Sequence, residues 1–491
     1  MQHKKFFSAR HYQWFVVTAN LVMIAVWFLA NNGLAFWDDF TYLNFARQIN
    51  EGSFELGTNH FTSRVALLYP TAWVIELLGI NEWTITLYPL LCGLIILNLT
   101  LWLGHLYHHW LGVLAATILV CDYHIITFIT HLFPEMPMAL FIFMALVAYD
   151  RVNRREGDHR LAALITATAL FLAYLTKMTV ILIVPLFLYL FFNDYKRRQT
   201  NKSYWMITLV LLIFFVVANG FWYQEVYGDF FYRFKNISNN HEASAKTFFD
   251  KDNLTLLKRL TYLPLLGFLR GGFFVPLLFC LPALLTTRRK HWRLESPEHL
   301  WRVSVIMILV TWWFMSTNWR YYSPMPVDTR HITFLIPLML MAGGFYWIET
   351  HLLSAIRYTR AKFLLAILLV IPAYKVSSSG ERNFRELKEA VEHNLLPDTG
   401  RVRVFTDGLT SYGYPYFYNF QATDHNYVWF SELNGSAPLA GDYLLLNPAF
   451  LNDRYHDHEN LEALKVMARE SGLELKPLRN GKVQLWRWVE E

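Results

Sequence analysis

The sequence predicts an all-α polytopic membrane protein of about eleven transmembrane helices with a small C-terminal α/β domain outside the membrane. Three observations predict it. Apolar residues come in repeated blocks of about twenty, the length that crosses a hydrocarbon core, and not in the narrow stripes of soluble helices. Lys and Arg gather in short clusters between those blocks, as loops on the cytoplasmic side require. From about residue 376 the charge rises, the apolar blocks stop and short strand-like runs begin.

Composition agrees: 54% of the 491 residues are hydrophobic and 17% aromatic. A net charge of +6 could signal a nucleic-acid partner, but its clustering between apolar blocks makes it a topology signal. No nucleic-acid partner is expected. Three cysteines, Cys92, Cys121 and Cys280, lie in or beside apolar segments without metal-ligand spacing. The N-terminus, MQHKKFFSAR before a long apolar run, reads as an uncleaved first span.

The basic clusters around Lys4, Arg151, Lys196, Arg288 and Arg357 fix the count, because an even number of crossings must separate clusters on one side. The segment RVALLYPTAWVIELLG, Arg64 to Gly79, is short of a span and would invert every later cluster, so it is laid in the outer interface. Leu161 to Phe192 would be roughly 50 Å long as one helix and is read as two spans turning at Thr176 and Lys177. Spans are thus expected near 14 to 36, 84 to 105, 111 to 129, 134 to 149, 161 to 175, 178 to 193, 204 to 221, 261 to 286, 301 to 318, 331 to 349 and 362 to 375. This arrangement makes 1 to 375 the membrane domain, with 37 to 83 its first outer loop, and 376 to 491 the external domain. In the latter, RVRVFTD and DYLLLNP read as strands, LEALKVMARES as a helix, and LELKPLRNGKVQLWRW as a hairpin turning at Asn480 and Gly481.

No Walker loop, no GxGxxG after a strand and no HExxH is present. The topology instead collects Asp38, Asp39, Arg64, Glu135, Lys177 and Arg330 at helix ends on the outer side. That set suits transfer from a lipid-phosphate donor, with a carboxylate taking a proton from the attacking group and Lys and Arg stabilising the phosphate that leaves.

A first span ending in WDDFTYLNFARQI, an interfacial TSRVALLYPTAWVIELLGINEW, FPEMP before the fourth span and AYLTKMTVILIVP at the fifth-to-sixth turn follow one another in order. This order resembles the GT-C superfamily of membrane glycosyltransferases, nearest to bacterial relatives of protein O-mannosyltransferases and of lipid A aminoarabinose transferases. The resemblance covers about residues 10 to 350. It implies that the acidic pair of the first outer loop, usually Asp-Glu, maps to Asp38 and Asp39, and leaves open which acid does the work. It maps a second acidic site to Glu135, the Lys of the LTK stretch to Lys177, and an Arg before a late span to Arg330 in PMPVDTRHITFLIP.

Every one of these residues has a plainer competing role. Asp38 would cap an interfacial helix beginning at Phe40, and Asp39 would favour that helix dipole. Glu135 would be a solvated acid at a helix start. Lys177 and Arg64 would snorkel to headgroups, and Arg330 would pair with Asp328. His105, His108 and His109 are expected as interfacial polar residues, and the aromatic run FWYQEVYGDFFYR first as an interfacial belt and second as a sugar-stacking surface.

The function expected is an inverting glycosyltransferase that moves a sugar from a polyprenyl-phosphate-linked donor to an envelope acceptor at the outer face of a bacterial inner membrane, N-terminus cytoplasmic and C-terminal domain periplasmic. Asp38 and Asp39 are the expected catalytic acids; Arg64, Lys177 and Arg330 bind the donor phosphate. No cofactor is favoured, and a divalent metal on Asp38, Asp39 and Glu135 is the alternative. A transporter or flippase of lipid-linked sugars is the competing function; it would call for internal repeats and charges spread through the spans, and the sequence has neither.

Overall fold

A computed structural model describes residues 9–31, 34, 37–57, 59–154, 156–196, 202–239, 253–286, 296–316, 322–349, 384–395, 402–417, 426–429, 437–451, 458–481 and 483–491. The expected span 362 to 375 and the expected boundary at 375/376 lie outside these residues. By contacts the chain forms two compact units, Met1–Ala30, Phe45–Val74 and Thr86–Val376 in one, and Asn31–Asn44, Ile75–Ile85 and Ser377–Glu491 in the other.

The first unit is helical. Its helices are α1 (Ala9–Ala30), α4 (Glu82–Tyr107), α5 (His109–Cys121), α6 (Tyr123–Ile129), α7 (Glu135–Asn153), α8 (His159–Thr176), α9 (Val184–Lys196) and α10 (Lys202–Tyr227), with later helices at Leu263–Arg270, Phe274–Leu285, Pro297–Phe314 and Leu335–Glu349. Among the described residues α1, α4, α8, the stretch Met178–Lys196 and α10 are long and apolar enough to cross a membrane, and the bent pair α5 and α6 passes the same test only when taken together, as a broken span or a re-entrant loop. The exposed faces of α1 and α10 are apolar: Trp14, Leu21, Phe28 and Leu29 on one, Leu209, Val210, Ile213 and Phe214 on the other. A water-facing surface does not carry patches of that size, whereas a lipid-facing one does. The protein is a multi-pass membrane protein.

Capping residues decide where these helices break. Asp158 starts α8 by accepting from the Arg160 N–H, and α8 stops at Thr176 because Lys177 is extended, with φ −160° and ψ 137°. A 3-10 turn, Met178–Ile183, then leads into α9. The turn at Thr176 and Lys177 therefore falls where the length argument puts it. The expected span 111 to 129 is broken in the middle. Asp122 accepts from the His124 and Ile125 N–H groups, restarts the chain as α6 and bends it by 62°. Likewise 261 to 286 is two helices, separated at Gly271 and Gly272, the latter with φ +84°.

α8 packs against both α7 and α10, while Leu335–Glu349 packs against α5, Phe274–Leu285 and Pro297–Phe314. The segment expected to lie in the outer interface forms α3 (Val65–Leu78), a 14-residue helix too short to cross.

The second unit contains a five-stranded sheet in the order β2-β1-β3-β5-β4, from Asn426–Trp429, Arg403–Thr406, Tyr443–Leu446, Gln484–Glu490 and Leu473–Arg479. β2, β1 and β3 are parallel, and β5 runs antiparallel to both β3 and β4. β3, reading YLLL, is buried along its whole length, as a central strand covered on both faces must be. Phe405, Leu444, Leu446, Leu461, Leu464 and Trp488 form its core. Both sequence-predicted strands, the helix (His458–Glu470) and the hairpin are present.

This unit also holds the first turns of α2 (Trp37–Glu51). Phe40 packs against Tyr416 and Phe417 of the helix Gly408–Phe417, with ring centroids 5.8 and 5.9 Å away. Gly413 makes this fit, since a Cβ there would stand 2.8 Å from the Phe40 ring.

Candidate active site

The polar centre of the first unit is an ion pair. Lys177 Nζ donates to Glu135 Oε1 at 2.6 Å, and both side chains are almost wholly buried, at 10% and 1% exposure. Local sequence places both. Pro134 precedes α7 and puts Glu135 in its first turn, where the helix dipole favours a carboxylate; the break after Thr176 puts Lys177 at the end of α8, which packs on α7. Glu135 is therefore not a solvated loop acid.

Two further cations act on this pair, Arg330 and Arg64. Burial lowers the Lys177 pKa below its ordinary value in the turn outside both helices; Glu135 opposes the shift, and Arg330 and Arg64 add to it. Arg64 closes the 3-10 turn His60–Ser63, its carbonyl accepts from Leu67 and Leu68 at the start of α3, and its guanidinium lies 4.7 Å from the Phe61 ring centre. Arg330 sits in the 3-10 turn Thr329–Ile332, whose cap Asp328 accepts from the Arg330 N–H and also pairs with Arg330 Nε at 2.6 Å. The Asp122 break supports this turn, because it brings His124 Nε2 to 3.2 Å from Thr329 Oγ1. Room for Thr329 comes from Gly271, where a Cβ would stand 2.5 Å from that hydroxyl.

Asp38 and Asp39 belong to the second unit. The helix starts at Trp37 and not at Phe40, so both acids lie in its first turn and Asp38 is not the residue preceding the helix. They are physically unequal: Asp39 is fully buried and Asp38 is only partly covered. The three histidines serve the helix break. His105 Nδ1 and His109 Nε2 are 3.1 Å apart, and His108 accepts from the Trp110 N–H to start α5.

Three buried cations, Arg233, Arg259 and Arg302, were not anticipated; of these Arg233, 2% exposed, lies in the aromatic run read as an interfacial belt. The signal that singled out Lys177, a basic residue on the side where such residues are disfavoured, applied to it equally.

The family model for dolichyl-phosphate-mannose-protein mannosyltransferases matches residues 66–222, a segment that contains Glu135 and Lys177. The fold matches that of ArnT from Cupriavidus metallidurans, both in the apo state (TM-score 0.55) and bound to undecaprenyl phosphate (0.56). Identity is 14% in each case, over 96% of this chain and 98% and 97% of the other. The oligosaccharyltransferase AglB from Archaeoglobus fulgidus, in complex with an inhibitory peptide and a dolichol-phosphate, matches with a TM-score of 0.52 and 11% identity over 98% of this chain and 74% of its own. A search of curated proteins finds no relative by sequence.

At these identities the solved structures show the fold alone: the chain folds as these membrane glycosyltransferases do, and its residues 66–222 match the mannosyltransferase family model. Its GT-C fold, with several apolar helices and a small C-terminal sheet domain, is the one the sequence predicts. The family match ends before Arg233 and Arg330 and begins after Asp38, Asp39 and Arg64. Those five residues stand on their own surroundings.

Proposed function

We propose that this chain transfers a sugar from a polyprenyl-phosphate-linked donor to a cell-envelope acceptor at the outer face of a bacterial inner membrane. The observation that carries the reading is the buried Lys177–Glu135 pair with Arg64 and Arg330 acting on it. Lys177, Arg64 and Arg330 bring three cations together beside the carboxylates of Glu135 and Asp328, and such a set of charged donors suits an incoming phosphate. That one similar structure holds undecaprenyl phosphate and another a dolichol-phosphate supports the donor class.

In this mechanism an acceptor hydroxyl or amine attacks the anomeric carbon in line. A bond forms from the acceptor atom to that carbon, the bond from carbon to phosphate oxygen breaks, and the configuration inverts. The acceptor proton goes to Asp38, which is accessible where Asp39 is buried. The electron pair leaves with the phosphate, whose charge Lys177, Arg64 and Arg330 stabilise.

Purified protein, incubated with radiolabelled polyprenyl-phosphate sugars and an envelope extract, is expected to move label from lipid to acceptor with inversion. EDTA is expected to leave turnover unchanged, because cations of the chain supply the counter-charge and Glu135 already holds Lys177. Retained configuration, or label left on the lipid with every donor, defeats the reading. Loss of turnover in EDTA restored by a divalent ion puts a metal on the acidic residues instead.

The orientation follows from the basic clusters. Reporter fusions after Arg160 and Lys202 are expected to read cytoplasmic, and one after Glu491 external. An external signal after Arg160 refutes this topology.

A further inference from the structure

Three arginines among the described residues are at most 2% exposed, and they are not alike. Arg302 has an acid beside it, with Nη2 3.2 Å from Glu298 Oε2. Arg259 is a strap: Nε donates to the Met325 carbonyl, Nη1 to Trp313 and Nη2 to Trp312, at 2.7, 3.3 and 3.2 Å. Arg233 has neither arrangement. Its Nη2 donates to the Tyr174 carbonyl in the last turn of α8, and its guanidinium carbon lies 3.9 Å from the Tyr174 ring centre. Nε and Nη1 are buried without a partner.

Capping α8 explains Nη2 and leaves the other two nitrogens unexplained. A buried donor without an acceptor is unfavourable, more so when charged, and a buried guanidinium without a counter-charge is strongly so. The surroundings are aromatic and fixed. Tyr223, 2% exposed and within electrostatic reach of Arg233, starts a column of rings through Tyr232 to Tyr227, with centroids 6.2 and 4.1 Å apart. Tyr232 Oη and Asn236 Nδ2 both donate to the Gly57 carbonyl, at 3.1 and 3.0 Å, tying this wall to the first outer loop. Gly57 has φ +91°, and a Cβ there would stand 2.5 Å from the Tyr227 ring.

We propose that Arg233 and its tyrosine wall bind an oxyanion, a phosphate or carboxylate group, at a subsite separate from the Lys177 cluster. The groups acting on Lys177 are Glu135, Arg330 and Arg64, whereas those acting on Arg233 are the Tyr174 and Tyr223 phenols. Nε and Nη1 each share a forked edge of the guanidinium with Nη2, and because the Tyr174 carbonyl takes only one N–H of Nη2, one edge keeps two parallel donors, the geometry that holds two oxygens of one anion. Two sources share this chemistry, an anionic phospholipid headgroup and an acidic or phosphorylated sugar on the acceptor. The proposal rests on the reading that the Lys177 cluster takes the donor phosphate.

The test uses the full chain in phosphatidylcholine nanodiscs, with undecaprenyl phosphate at saturation to occupy the donor site. Labelled glucosamine 1-phosphate is expected to bind at one per chain. Arg233→Gln is expected to weaken this by roughly tenfold or more, as loss of a charged hydrogen-bonding partner does, with undecaprenyl phosphate affinity unchanged. Arg233→Lys, which keeps the charge and loses the fork, should fall between. Saturable binding of phosphatidylglycerol in place of the sugar phosphate, lost in the same variant, assigns the subsite to a headgroup and supports it equally.

If Arg233→Gln does not fold, the wild-type protein decides: displacement of the sugar phosphate by undecaprenyl phosphate, or no saturable binding of either anion, overturns the proposal. An equal loss of sugar-phosphate and undecaprenyl-phosphate affinity in the variant merges Arg233 with the donor site and also overturns it. Failure of undecaprenyl phosphate to bind the wild-type protein defeats the donor reading instead, and sugar-phosphate binding lost in Arg233→Gln still upholds the subsite.

Discussion

Asp38→Asn is expected to lower single-turnover transfer by about a hundredfold or more, the usual worth of a general base, with donor affinity and folding nearly unchanged. Asparagine keeps the size of the side chain and removes the proton acceptor. Asp39→Asn is expected to behave differently, because Asp39 is wholly buried in the first turn of α2. There a carboxylate helps the helix through its dipole, by about 0.3–1 kcal/mol where exposed and up to about 2 kcal/mol in a partly buried setting. Its loss should show as a lower melting temperature and a smaller loss of turnover. The turn itself is held, since Phe40 packs on Tyr416 and Phe417 over a glycine that admits no side chain. Full activity in Asp38→Asn sinks its assignment as base, and a larger kinetic loss in Asp39→Asn moves the role to its neighbour.

What was legible in the sequence was whatever depends on length, charge sign and short-range turn chemistry. Leu161 to Phe192 is too long for one span, and the only polar residues at its middle mark the turn at Lys177. Asn480 and Gly481 between alternating runs announce the β4–β5 hairpin. The bend at Asp122 was not legible, because a hydropathy count sees one acid in an apolar run and not the two N–H groups it caps. β2 was missed because NYVW is a four-residue edge strand without a buried face of its own. Of the site residues, each position was marked by a polar group at a helix end. That Glu135 and Lys177 bond directly depends on α7 packing against α8, which neither segment encodes alone.

That bond gives a second large effect, with opposite consequences for stability and for binding. Glu135→Gln removes the carboxylate bonded to Lys177 and leaves a buried ammonium within electrostatic reach of Arg330 and Arg64. Breaking a buried pair in this way costs about 3–5 kcal/mol, so the variant should melt well below the wild type. Yet its Lys177 is released, and the affinity of the folded fraction for undecaprenyl phosphate should hold or rise. Lys177→Met reverses the pattern. Glu135 then keeps the Arg330 and Arg64 charges, so the stability loss is smaller, while phosphate binding drops by roughly tenfold or more through loss of a charged donor. The double variant should regain much of the stability lost in Glu135→Gln, because neither charge is left buried alone. Thermal unfolding in one detergent, with lipid-phosphate affinity measured on the same samples, separates the two effects. If Glu135→Gln melts with the wild type, the pair does not hold the turn; if Lys177→Met binds the lipid phosphate as tightly, Lys177 is a structural partner of Glu135 and the phosphate site lies elsewhere.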